Sequence, residues 1–169
     1  MNFLDLFPSI DLFILFLFGG VVVLHFVFLK KHKLFLNFVS IYTAFFLSVI
    51  LPIFSTKINS WLGLHSLARI FGFLLALILL YIVLSFSNLG DFSKKVTPTE
   101  WSISFWYRLG IVGLFFSTVI YFLPSTWKVN FGMISNTVFN NSIAMLVWFV
   151  IPIMFAFAYR FKTRRGWIE

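Results

Sequence analysis

No cysteine occurs in the 169 residues. Disulfides, thiolate metal sites, iron–sulfur clusters and a cysteine nucleophile are therefore excluded together. Charge is nearly as scarce. Asp, Glu, Lys and Arg make up 11% of the chain, against about 25% in an ordinary soluble domain. So little charge does not cover a water-facing surface, so the solvent of this chain is largely lipid. The patterns that carry chemistry are missing too, with no glycine-rich loop to cradle a phosphate and no carboxylate pair for metal or glycosyl chemistry. The hydroxyls of Ser40, Thr43, Ser85, Ser87, Ser117 and Thr118 have no paired base at useful depth. A Ser–His dyad using His25 stays open, without any nucleophile motif beside it.

What the chain has is apolar length. Hydrophobic residues make up 61%, and the mean hydropathy is +1.02. The runs are continuous, as in Leu12 to Phe18 and Phe71 to Leu80. A membrane β-barrel needs alternating apolar and polar positions instead. The expectation is an all-α polytopic integral membrane protein forming one domain over residues 1–169. The 26 phenylalanines are spread through every segment, as a bias toward U-rich codons would spread them.

Five crossing helices are predicted, over about residues 11–29, 34–54, 69–89, 105–123 and 143–159. Residues 1–10 lack the basic n-region and small-residue cleavage site of a secretory signal, so the first segment reads as a retained anchor. Residues 55–68 and 124–142 read as stretches at the membrane surface, the first with Trp61 at headgroup level. In the central connection, Thr97 or Thr99 is the expected cap of the fourth helix. Pro152 lies well inside the fifth segment and predicts a kink.

The thirteen Lys and Arg residues fall at the ends of these segments. With five spans, one side holds Lys30, Lys31 and Lys33, then Lys94, Lys95 and Arg108, then Arg160, Lys162, Arg164 and Arg165. The other side holds Lys57, Arg69 and Lys128. Ten against three places the N-terminus outside and the C-terminus in the cytoplasm, with the ten as topology anchors. The formal net charge of +8 is accounted for by topology and by anionic lipid headgroups at the basic loops, without a nucleic-acid partner.

Asp11, Arg69 and Arg108 sit at segment ends, where they are expected to reach headgroups, so no charge is expected at mid-membrane. Among His25, His32 and His65, no pair shares a depth suited to a membrane haem. The sequence predicts no catalytic residue, no metal ligand and no cofactor. Small residues supply the remaining candidates. Ala68, Gly72 and Ala76 recur at four-residue spacing, and Gly19 and Gly20 are paired. Gly110, Gly113 and Ser117 lie in the fourth segment. Such residues let membrane helices approach closely.

Part of the chain resembles the colicin V production family of small bacterial inner-membrane proteins. The likeness rests on Ile10-Asp11 opening the first helix, a short basic first loop and the aromatic run Tyr42-Thr43-Ala44-Phe45-Phe46. Arg108-Leu109-Gly110 in the fourth helix completes it, over about residues 9–123. The family's Arg-Gly-Phe in the first loop is replaced here by Lys-Lys-His-Lys, and the fifth helix is additional. The resemblance implies a bacterial inner-membrane location and carries no enzymatic activity. The sequence thus favours a non-enzymatic accessory or structural component that packs with partner helices or with itself. A small oligomeric transporter or channel component is the alternative, and a haem-binding subunit resting on His25 is a poorer one.

Overall fold

The computed structural model describes residues 10–55, 57, 60, 67–95, 98 and 100–163, with side chains described for all of these except 94, 95 and 158–163. Among the described residues the chain is helical throughout, with no strand. Four helices are long and apolar enough to cross a membrane. They are α1 (Ile10–Phe28), α2 (Leu34–Phe54), α3 (Ala68–Ser85) and α5 (Trp101–Phe122). Between α3 and α5 lies the short helix α4 (Asn88–Lys95), and beyond α5 come α6 (Ser125–Lys128), α7 (Met133–Val138) and α8 (Ser142–Thr163). A single 3-10 turn, Lys31–Lys33, joins α1 to α2.

Helix α5 is the axis of the bundle. Thirteen of its 22 residues are buried, and α1, α2, α3 and α8 all pack on it. Toward α1 it presents Val112, Phe116 and Ile120, which meet Ile14 and Phe139. Toward α2 and α3 it presents Leu114 and Phe122, which meet Ile41, Ala44 and Phe73. Near its N-terminal end Tyr107 and Ile111 pack with Leu34. Against α8 the contact is close because α5 carries no side chain there. A Cβ on Gly110 would lie 2.6 Å from Ile151 Cγ2 and 3.1 Å from the Pro152 ring, and one on Gly113 would overlap the Trp148 indole. Trp148 in turn donates Nε1–H to the Val138 carbonyl at 2.7 Å and stacks on Phe139.

The helix bounds depart from expectation by four residues in three places: the fifth helix continues to Thr163 instead of ending at 159, and the other two departures fall in the third and fourth segments. The third segment stops at Ser85 instead of running to 89. There the Ser87 hydroxyl donates to Leu84 O at 2.8 Å and accepts from the Leu89 amide at 3.2 Å, which ends one helix and starts the next. The fourth starts at Trp101, earlier than the expected 105, on an extended Glu100. Its expected caps, Thr97 and Thr99, lie outside the described residues, as do Trp61 and His65 and most of the stretch 55–68. Residues 124–142, expected as a stretch at the membrane surface, contain two short helices.

Pro152 is enclosed within α8. Proline leaves the carbonyl four residues earlier without its helical donor, here that of Trp148. One residue along, the Phe149 carbonyl accepts a hydrogen bond from the Tyr42 hydroxyl of α2. This hydroxyl ties α2 to α8 at the turn that leads into Pro152.

Candidate functional site: two buried charges at the ends of α1

Helix α1 is the least enclosed of the four helices of crossing length, with only Asp11 and Ile14 buried. Phe18 holds its middle against the bundle, edge-on to Phe116 at 5.3 Å between ring centroids. Its two ends are held differently, each by a charged side chain.

At the first end Asp11 is 6% exposed. Its carboxylate accepts the backbone N–H groups of Gly132 at 2.9 Å, Ile134 at 3.0 Å and Ser135 at 3.3 Å. These are the donors that the first turn of a helix leaves without intrahelical partners. Helix α7 has no capping side chain of its own, because its N-cap residue is Gly132. Asp11 supplies the cap from another helix, with the negative charge at the positive end of the helix dipole. A Cβ at residue 132 would overlap the Asp11 carboxylate, which would have to shift to make room.

At the other end Arg108 is 3% exposed. Its Nη1 donates to the His25 carbonyl, and its Nε lies 3.4 Å from Ser104 Oγ. The guanidinium also stands over the Phe26 ring, 4.9 Å from the centroid, in cation–π contact. His25 belongs to the last turn of α1, at the negative end of the helix dipole, and its carbonyl accepts the Leu29 amide at 3.3 Å as well as the Arg108 guanidinium. Arg108 therefore caps the C-terminus of α1 from α5. The chain of contacts continues into α2, where Asn37 Nδ2 lies 2.9 Å from His25 Nε2. With the amide donating, the neutral ring carries its proton on Nδ1, a buried atom with no hydrogen-bond partner among the described residues.

Both charges correct the expectation that they reach headgroups. Because α5 begins at Trp101, Arg108 lies about two turns inside the helix and faces α1. Asp11 is drawn inward because α7 folds back onto the start of α1. Arg108 is thus no surface anchor. Lys30 and Lys31 are exposed and Lys33 half-buried, and Lys94 and Lys95 stand in the last turn of α4. Arg160 and Lys162 lie on α8, while Arg164 and Arg165 fall outside the described residues.

The small residues divide into two groups. Gly110, Gly113 and Ser117 are buried in α5, and the two glycines are closed by α8. Ala68 is buried and Ala76 packs against the α2–α5 cluster. A Cβ on Gly19, Gly20 or Gly72 would meet nothing within 4 Å among the described residues. Gly113 is therefore spent inside the chain and is not a face for a partner. Two further buried hydroxyls, Ser117 Oγ and Thr118 Oγ1, have no hydrogen-bond partner among the described residues. No group of three or more His, Asp or Glu residues stands close enough to hold a metal ion among the described residues.

Reasoning from sequence missed the inward turn of Asp11 and Arg108 because both stand near segment ends. One signal was available: a basic residue two turns after an aromatic helix start lies too deep to serve as a plain flank. The fold and the two capping charges define an all-helical protein with helices of membrane-crossing length. No protein-family model matches the chain, and no curated protein or solved structure matches it either.

Proposed function

We propose that the chain is a polytopic membrane protein of five crossing helices, acting as a non-enzymatic accessory component that packs with partner helices in a bacterial inner-membrane assembly. The observation that carries this reading is the division of the glycines. Gly110 and Gly113 are closed by α8, whereas Gly19 and Gly20 on α1 and Gly72 on α3 leave backbone open among the described residues. In lipid, association between helices depends on close backbone approach, not on hiding apolar surface. Open glycines on outward apolar helices are the positions that favour it.

Five spans follow if α8, 22 residues long, crosses as well. With Arg108 turned inward, nine basic residues remain on the proposed cytoplasmic side against Lys57, Arg69 and Lys128, so the bias toward an outside N-terminus persists. Of this reading, only the bacterial inner-membrane location rests on the resemblance to the colicin V production family.

Purification in mild detergent tests it. A stable hetero-complex that is lost in Gly72→Leu or Gly20→Leu, with the monomer still folded, is the expected result. A complex that survives both substitutions unchanged overturns the reading. Because the chain has no cysteine, Ser60→Cys and Lys31→Cys report the topology. Labelling of residue 31 from outside intact cells would reverse the orientation.

A second reading, a small oligomeric transporter or channel component, is favoured by one observation, the Arg108–His25–Asn37 contacts between helices. Ionisable groups inside a membrane domain commonly mark substrate or ion paths. A discrete homo-oligomer with flux in liposomes would favour it over the first.

A further inference from the structure

We infer that the 3-10 turn and helix α4 together form a binding surface for the headgroups of anionic phospholipids. The inference rests on the membrane reading above and adds to it a defined lipid partner. The two elements are far apart in sequence but pack against each other. Lys30 leads into the turn, Lys31 and Lys33 lie in it, and Lys94 and Lys95 occupy the last turn of α4. The backbone positions of five lysines thus fall at one end of the bundle, with Asp91 the single acidic residue in the two elements.

The surface is held in place by specific contacts. Phe92 of α4 meets Phe35 in the first turn of α2, at 5.6 Å between ring centroids. The Lys33 amine stands 5.8 Å from the Tyr81 ring centroid, which ties the turn to the end of α3. The α3–α4 corner is close enough that a Cβ on Gly90 would lie 2.6 Å from Ser85 O. Ser93 is fully buried, its hydroxyl donating to Gly90 O at 2.8 Å. Helix α4 is therefore docked on one side and free on the other.

The free side is what points to lipid rather than to a soluble anion. Leu89 is exposed on that side, and Phe86 just before the helix is 89% exposed. A short helix that shows aromatic and aliphatic side chains next to a group of lysines fits the boundary between acyl chains and headgroups. The apolar residues enter the acyl region while the ammonium groups meet lipid phosphates. Polybasic segments beside a membrane domain attract anionic lipid in the same way.

Native mass spectrometry of the full chain, released from mixed phosphatidylglycerol and phosphatidylcholine nanodiscs, tests the surface. Wild-type protein is expected to retain phosphatidylglycerol in preference to phosphatidylcholine. In the variant carrying Lys31→Gln, Lys33→Gln, Lys94→Gln and Lys95→Gln that preference should fall at least fivefold, since each lysine near a membrane surface favours anionic lipid by about that factor and only Lys30 remains. A control carrying Lys57→Gln and Lys128→Gln should keep it. Equal retention of the two lipids by wild type, or an unchanged preference in the fourfold variant, overturns the inference. So does displacement of the lipid by millimolar inorganic phosphate or by a short oligonucleotide, which would make the surface a site for soluble anions. None of these substitutions touches Gly20 or Gly72, so failure here is distinguishable from failure of the accessory-component reading.

Discussion

The two ends of α1 are held by opposite chemistry, and they differ in what a deletion would leave behind. At the Asp11 end the charged group is the acceptor, and the three donors that depend on it belong to the backbone of α7. Taking away the carboxylate leaves those three N–H groups in place and without a cap. At the Arg108 end the charged group is the donor. Taking it away leaves the His25 carbonyl, which still accepts the Leu29 amide at 3.3 Å. Buried polar groups cost most when they are stranded, not when both partners disappear together. The same formal event, loss of one buried charge, therefore has unequal consequences at the two ends.

The largest effect is expected for Asp11→Ala, which should destabilise the protein by about 2–4 kcal/mol, because three backbone N–H groups lose their acceptor and a stranded buried donor costs about 1–3 kcal/mol. Reversible unfolding in detergent micelles measures it. A loss below about 1 kcal/mol would mean that water or lipid headgroups cap α7 in place of Asp11. Arg108→Met comes next, at about 1 kcal/mol, because an apolar side chain of similar length removes the charge together with its desolvation cost. If Arg108→Met proves as damaging as Asp11→Ala, the proposed asymmetry is wrong and Arg108 has a role beyond capping α1.

The smallest effect concerns Lys128, which lies near the Asp11 end, in the short helix α6. Its amine donates to the Tyr121 carbonyl at 2.9 Å, and partial burial holds its pKa below the ordinary 10.5. A lysine with a depressed folded pKa binds its proton less readily in the native state than in the unfolded chain. Its charge is thus a penalty at neutral pH, and the penalty fades as pH rises through the folded pKa toward 10.5. The stability difference between wild type and Lys128→Met should accordingly shift in favour of wild type between pH 7 and pH 10. The melting temperatures of both proteins at those two pH values are the check, and a difference independent of pH would sink the idea.

Much of the fold was legible because apolar runs of this length permit little except crossing helices. Four of the five expected segments correspond to helices of crossing length and the fifth to α8, with bounds displaced by a few residues. The displacements came from single polar residues, such as Ser87 bridging two helices, that composition does not reveal. The glycines were legible as close-approach positions but not by destination. Gly72 and Gly113 look alike in sequence, yet one is open among the described residues and the other lies under Trp148.

By itself the sequence determined the helical class, the scarcity of groups able to do chemistry, and the uneven placement of basic charge. Which side of each helix faces inward was decided by the tertiary structure alone. The physical reason is that helices apolar around their whole circumference carry no stripe to mark a buried face. Only packing turns Asp11 toward α7 and Arg108 toward α1. Packing likewise brings the turn at Lys31–Lys33 against a helix about sixty residues later in the chain.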